Sequence, residues 1–454
     1  MRIAGDLARG ASIFALLAVA DAALQPSGSK SLEAASDCPS WNGTLKATSF
    51  GLTCPSTAAG DDIGEDCLTV NIWSPATSAD AKLPVMFWSY AAGSGSSASV
   101  YVGGGMAGKD IVFVSYNYRV GALDWLTLSE LEEETGVTGN YILLDSIAAL
   151  KWVHENIAAF GGDPDAITAA GQSFGAGMSY HLLNSHLSKG LIKGAIAESG
   201  IKDPYDPNLY GYGSDYHNMS TLLEFSNTFV DSLNISSLAE LRAYIVSLEE
   251  GAPNNVPVLV GNAAAENGID LSTTYNVSAY EEAIKSLYGK YANELLDLYL
   301  ANTTAEATNA YNEILRAGFC TSTWSYADRW SKTSDKDIYY YLWTYSPSSG
   351  SGPTHGSEVV FALDNLYAQS STYNQTDYEV AAKMSAYWAN YVKTQNPNKG
   401  GSATETLPYW APDIPSENNQ FELGNLWKKI PITPFATEKN IFLDFWQWAI
   451  PDPF

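Results

Sequence analysis

The sequence predicts an α/β fold: a doubly wound, mostly parallel sheet flanked by helices. Three observations carry this expectation. Short apolar runs bounded by turn residues recur along the chain, helical patterns separate several of them, and a serine set between two glycines stands where one apolar run passes into a helical one. Strand, helix, strand alternation implies right-handed crossovers, and in such sheets chemistry gathers at the carboxyl ends of the strands.

The first element is not part of that sheet. In "MRIAGDLARGASIFALLAVADAALQ", Arg2 and Arg9 precede an apolar run from Ala11 to Ala20, and a small-x-small site ends at Ala22. This is the layout of a secretory signal peptide, residues 1–22, and the run is too short to span a bilayer. It leaves residues 23–454 as a single domain. No later stretch reaches the roughly 18 consecutive apolar residues of a membrane helix, and the C-terminal "AIPDPF" is no lipid-anchor tail. The mature protein is therefore expected to be soluble and secreted, with no integral membrane association.

The strands follow in order: "VMFWSY" (85–90), "IVFVSYNY" (111–118), "AITAAG" (166–171), "GAIAES" (194–199), "VPVLVGN" (256–262) and "IYYYLWTY" (338–345). Their near-continuous apolar character is that of strands buried on both faces. The clearest helix is "ILLDSIAALKWVHENIAAF" (142–160), with apolar residues at three- and four-residue spacing and a stop at Gly161-Gly162-Asp163-Pro164. The aromatic segment "TSTWSYADRW" (321–330) and the strand at 338–345 read as packing rather than as the lining of an acyl pocket.

Composition narrows the function classes. Of 454 residues 46% are hydrophobic and 12% aromatic, with 13 Trp and 28 Tyr, which excludes a disordered or coiled-coil chain. Fifty acidic against 24 basic residues give a formal net charge of -26, a field that repels phosphate backbones, so no nucleic-acid partner is expected. The four cysteines are Cys38, Cys54, Cys67 and Cys320. A short Cys54 to Cys67 loop is easy to close and would contribute roughly 3 kcal/mol in an oxidising compartment, while the other two pair or stay free. Six Asn-x-Ser/Thr sequons, at Asn42, Asn218, Asn234, Asn276, Asn302 and Asn374, gain meaning as glycosylation sites from secretion.

In Gly171-Gln172-Ser173-Phe174-Gly175 the glycines leave room for a strained strand-to-helix turn that lifts the serine hydroxyl clear of the sheet. Such a nucleophile needs a base, and in α/β hydrolases the chain order is serine, acid, histidine. Of the five histidines, His154 precedes the serine, His181 and His186 fall in the helix expected after it, and His217 leaves little room for an intervening acid strand. His355, in "GPTHGSE" after the aromatic strand, fits. The acid is sought after "VPVLVGN", where Glu266 is the first carboxylate, and Glu198 is the second choice. A carboxylate there would fix the imidazole tautomer and stabilise the imidazolium. No His-x-x-x-His or paired-Cys spacing suits a metal, so neither metal nor organic cofactor is expected.

The segments "EDCLTVNIW" (65–73), "NYRVGALDWL" (117–126), "ALKWVHENIAAFGGDPDAITAAGQSFGAG" (149–177), "AIAESG" (195–200) and "HGSE" (355–358) together resemble the type-B carboxylesterase and lipase family, which includes the cholinesterases, and are closest to its secreted fungal esterases. The likeness runs from about Trp41 to Phe454. It implies an α/β-hydrolase fold and hydrolysis of small-molecule or lipid carboxylic esters through an acyl-enzyme, with Ser173, Glu266 and His355 as the triad. It also implies a disulfide between Cys54 and Cys67. In place of the family's triple-glycine run stands Tyr90-Ala91-Ala92-Gly93, which gives an oxyanion hole of the Ala92, Gly93 and Phe174 N–H groups. An alanine forced to positive φ there would be strained by roughly 1 to 2 kcal/mol.

Three further departures belong with the resemblance. The family's opening strands have no counterpart in residues 23–40, so part of the sheet edge is expected to be missing. The stretch from Ser199 to Glu266 is short by some tens of residues. Gln172 takes the place of a glutamate common before the nucleophile, a change that leaves the triad untouched. The altered hole and shortened segments also keep in view a non-catalytic binding protein on the same fold.

Overall fold

Among the described residues, the six apolar runs form the centre of one ten-stranded sheet. The computed structural model describes residues 16–20, 49–54, 63–64, 66–121, 124, 139–201, 254–266, 273–350, 352–369, 372–400, 407–413, 417–432 and 435–449. The strands are β1 (Leu16–Ala20), β2 (Val70–Ser74), β3 (Leu83–Ser89), β4 (Val112–Tyr116), β5 (Gly162–Gln172), β6 (Gly194–Glu198), β7 (Val258–Ala263), β8 (Ile338–Trp343), β9 (Asn419–Leu423) and β10 (Lys428–Pro431). They lie in the order β1-β2-β4-β3-β5-β6-β7-β8-β9-β10.

From β4 through β3 and on to β9 every pairing is parallel, while β1 with β2, β2 with β4, and β9 with β10 are antiparallel. The central strands β2, β4, β6 and β7 are buried along their whole length, as expected for a sheet covered on both faces. β10 is blunted at the edge by Lys428, Lys429 and Pro431, residues that discourage further pairing.

The helices are α1 (Gly104–Ala107), α2 (Tyr141–Asn156), α3 (Phe174–Asn184), α4 (Val277–Tyr288), α5 (Ala292–Leu298), α6 (Thr304–Thr333), α7 (Val359–Ala362), α8 (Gln375–Thr394) and α9 (Phe435–Ala449). α2 ends in a turn of 3₁₀ helix and stops at Gly161, which takes φ 78°. The expected stop at 161–164 is thus shorter than predicted: Gly162, Asp163 and Pro164 already belong to β5, and Gly162 pairs with Leu83 ahead of a register shift. Extended backbone suits proline, so Pro164 is no breaker here. α6 and α8 open on capping boxes, Thr303 with Glu306 and Asn374 with Asp377. Of the aromatic segment 321–330, Trp324, Tyr326 and Trp330 are buried in the α6 interface, in line with a packing role. A second apolar cluster joins α4, α5, α6 and α9 through Tyr288, Leu295, Ile314 and Phe442.

Leu16–Ala20, inside the run read as a leader, lies antiparallel to β2 at the edge of the sheet, and residues 23–40, expected to leave that edge short, lie outside the described residues. β9 and β10 are absent from the sequence reading because "NQFEL" and "KKIP" are short and polar, without an apolar run to announce them. No helix among the described residues is long and apolar enough to cross a membrane. The Cys54–Cys67 disulfide is formed, Cys320 is a buried free thiol, and Cys38 lies outside the described residues.

The start of α2 is fixed from β4 by a buried ion pair. Arg119 donates to Asp145 from Nε at 2.8 Å and from its backbone N–H at 3.0 Å, and the guanidinium also meets Oδ1. Both side chains are almost fully out of solvent. Removing one partner leaves the other charge buried and unpaired, so Arg119→Met is expected to lower stability by about 3 to 5 kcal/mol in urea titration.

Candidate active site

The carboxyl ends of β5, β7 and β8 converge on one spot. Ser173 sits between β5 and α3 with φ 56° and ψ -121°, outside the ordinary regions for a residue with a side chain. Its surroundings demand glycine. A Cβ on Gly171 would lie 2.3 Å from the Gly175 carbonyl oxygen, one on Gly175 would lie 2.1 Å from the Ser89 oxygen, and one on Gly200 would lie 2.0 Å from the Ser173 oxygen. Backbones this close tolerate no Cβ. The Ser173 N–H donates to the Glu198 carbonyl at 2.8 Å, tying the turn to β6.

His355 Nε2 stands 2.7 Å from Ser173 Oγ, and His355 Nδ1 is hydrogen-bonded to Glu266 Oε2. Sequence spacing placed each of these three on a separate loop, and the fold brings them together. A backbone bridge aligns the last two: Ala265 pairs with Thr354, its N–H donating to the Pro353 carbonyl at 2.9 Å, so Glu266 and His355 follow side by side. Arg316 Nε donates to the Ala264 carbonyl on the same loop. Glu266 is further held by the Ala263 N–H at 2.7 Å and the Asn262 Nδ2 at 3.5 Å, both on Oε1. Trp343 Nε1 donates to Ser357 Oγ at 3.0 Å and fixes the histidine turn on β8.

Glu198, the second choice for the acid, does not reach the histidine. It is buried and accepts a hydrogen bond from Trp388 Nε1 at 2.7 Å. The other histidines stay apart from the serine: His154 lies in the last turn of α2, His181 within α3, His186 in the turn after it, and His217 lies outside the described residues.

The segment after β3 approaches the same place. Tyr90 and Tyr118 stack with ring centroids 4.1 Å apart, Tyr90 Oη donates to the Tyr118 carbonyl at 3.0 Å, and Tyr118 Oη donates in return to the Tyr90 carbonyl. Asn117 accepts from the Ser96 N–H at 3.0 Å and donates to the Cys67 carbonyl at 3.0 Å, which links this segment to the disulfide loop. Ala92 and Gly93 form the exposed turn between these anchors. The expected strain on alanine does not arise: the positive φ, 75°, falls on Gly93, and Ala92 is not among the positive-φ residues. Phe174 opens α3, so its N–H has no carbonyl within the helix to bond.

One group escaped the sequence reading. Glu358, quoted only as part of "HGSE", is fully buried beside the histidine and accepts from Ser199 Oγ at 3.0 Å. Among the described residues neither its Oε2 nor that of Glu198 has a hydrogen-bond partner. Burial, then the charge of Glu266, pushes the Glu358 carboxyl up to about 7, against the pull of His355. Burial and the Glu358 charge hold Glu198 well above the usual carboxylate range. For His355 burial acts downward, yet Glu266 and then Glu358 outweigh it and the pKa is raised above 6.5. The described residues contain no group of three or more His, Cys, Asp or Glu side chains that could hold a metal ion.

The carboxylesterase family matches residues 23–207 and 243–431. The chain belongs to that family. Its fold is the α/β-hydrolase fold, and it is a carboxylic ester hydrolase. The match starts at residue 23, so residues 23–40, expected to lack a counterpart, fall within it; the break between 207 and 243 lies in the stretch predicted to be short. The esterase is 31% identical over 419 residues to fumonisin B1 esterase of Sphingopyxis macrogoltabida, covering 79% of this chain and 75% of that one. It is 28% identical over an alignment of 495 residues to bile salt-activated lipase of Rattus norvegicus, covering 92% and 79%. Among solved structures it resembles PNB esterase with a TM-score of 0.72 at 24% identity, over 90% of this chain and 92% of that one. The Geobacillus stearothermophilus carboxylesterase gives 0.71 at 24% identity, over 91% and 92%.

The electrostatics of the esterase's site predict a direction. Glu358 stabilises the imidazolium, so Glu358→Gln is expected to lower the His355 pKa by about half a pH unit or more, read by NMR titration of the imidazole.

Proposed function

We propose that the esterase hydrolyses carboxylic esters through an acyl-enzyme on Ser173, with His355 as general base and Glu266 as the carboxylate that orients it. The observation that carries the reading is the 2.7 Å approach of His355 Nε2 to Ser173 Oγ, with Glu266 on the opposite ring nitrogen. With its proton on Nδ1, facing the carboxylate, the ring offers a lone pair at Nε2 to the serine proton. Ser173 Oγ attacks the ester carbonyl, the proton passes to Nε2 and then to the leaving alcohol, and water repeats the sequence to release the acid.

The Ala92, Gly93 and Phe174 N–H groups are assigned to the oxyanion. Two of them lie on an exposed turn and the third at a helix N-terminus, where fixed dipoles favour developing negative charge without reorganisation. The names of the relatives, fumonisin B1 esterase and bile salt-activated lipase, support small-molecule and lipid esters as the substrate class.

We further assign the chain to the secretory route. The leader-like N-terminus, the Cys54–Cys67 disulfide and the exposure of Asn276, Asn302 and Asn374 support it; Asn42, Asn218 and Asn234 lie outside the described residues. N-terminal sequencing of the exported chain is expected to begin after Ala22, a cleavage that removes β1 and leaves β2 at that edge, and an intact Met1 on exported protein would contradict the assignment.

Assays on p-nitrophenyl esters test the chemistry. Ser173→Ala should lose turnover and reaction with a fluorophosphonate, and Glu266→Gln should lower kcat by roughly 10⁴. Near-full activity in either variant would remove that residue from its role. Because the base works only when neutral, kcat/KM should fall as pH drops through the raised His355 pKa.

A further inference from the structure

Gln172 ends β5 one residue before the nucleophile and reads from sequence as a change that leaves the triad untouched. In the structure its carboxamide Nε2 lies 3.2 Å from His355 Nε2, the ring nitrogen that also faces Ser173 Oγ at 2.7 Å. The side chain has no room to wander: the residue is 3% exposed, and a Cβ added to Gly356 would already lie 3.3 to 3.5 Å from the carboxamide atoms. The histidine turn itself passes through φ 78° at Gly356, a conformation and a clearance that glycine supplies together.

The direction of the contact follows from donor chemistry. Glu266 on Nδ1 places the ring proton there, so Nε2 carries a lone pair, and a carboxamide nitrogen can only donate. The Gln172 N–H and the Ser173 hydroxyl therefore aim at the same acceptor. We propose that Gln172 is a positioning residue for ester hydrolysis, its carboxamide N–H sharing the His355 Nε2 lone pair with the serine and holding the ring neutral and oriented. The proposal rests on the reading of Ser173 and His355 as nucleophile and base.

The groups facing His355 act in opposite senses. Glu266 from the β7 loop and Glu358 from the head of α7 favour the imidazolium, and Glu198 at the end of β6 acts on Glu358 from behind. A hydrogen bond donated to the neutral ring opposes protonation, as burial does. Once Ser173 carries an acyl group it has no proton to donate, while the Gln172 N–H still holds the ring.

The test is the acid limb of kcat/KM, which reports the base in the free enzyme, in Gln172→Met and Gln172→Glu. Concentrations are normalised by fluorophosphonate titration of Ser173, and folding is checked by near-UV circular dichroism. Loss of one neutral donor should move the acid limb of Gln172→Met upward by about 0.5 to 1 pH unit. Gln172→Glu should move it further upward, since a carboxylate adds to the lost donor. An acid limb of Gln172→Met that stays in place or moves down overturns the proposal. Should that variant fail to fold, the near-isosteric Gln172→Glu decides alone, and an unmoved or lowered limb overturns the proposal there too. Failure of the underlying reading looks different: the wild-type esterase itself would resist the fluorophosphonate.

Discussion

Three backbone contacts that only glycine permits set the position of Ser173, and the rest of the site is arranged around them. Gly171 and Gly175 let the elbow settle onto the end of β3, and Gly200 lets the segment after β6 pass over the serine carbonyl. A non-glycine residue at positive φ costs roughly 1 to 2 kcal/mol, and the packing of three neighbouring segments keeps Ser173 in that state. The reactive hydroxyl is thus presented by the sheet's own backbone, before any side chain partner is added. Added residues at any of the three glycines would push the elbow out of register with His355 and the turn at Ala92 and Gly93.

Around that rigid point the balance of charge is unusual. Glu266, Glu358 and Glu198 are all buried at the same end of the sheet, and the imidazole is the titratable group between them and the serine. In a water-poor region three full negative charges are too many for one imidazolium, which is why burial and mutual repulsion drive Glu198 and Glu358 toward their neutral forms. The overall excess of acidic residues belongs to a different level of organisation: it concerns the protein's field in solution, whereas these carboxyls tune one ring.

The central strands, the long helix before the nucleophile and the order of serine, acid and histidine were legible because each rests on local information: an apolar run, a three- to four-residue period, a pair of glycines, a carboxylate just past a strand. What the sequence concealed is long-range or edge-bound. β9 and β10 carry too few apolar residues to register as strands. Glu358 looked like an ordinary polar residue and Gln172 like a substitution that leaves the triad untouched, and only the convergence of β5, α7 and the histidine turn shows what they touch. The strain foreseen at Ala92 vanished because the turn places its left-handed residue one position later, on Gly93. The stop foreseen at Gly161 to Pro164 was half right, since the proline proved compatible with the strand that follows.

Cys320 lies on α6 with its thiol buried, and burial pushes its pKa up to about 11. At neutral pH such a sulfur holds almost no thiolate and meets little solvent, so an alkylating reagent finds neither a nucleophile nor an open path to it while α6 stays docked. Its capture by a maleimide then keeps time with the parting of the helical layer from the sheet. The molecule carries its own clock for opening, set on the helical layer within reach of the Glu266 charge.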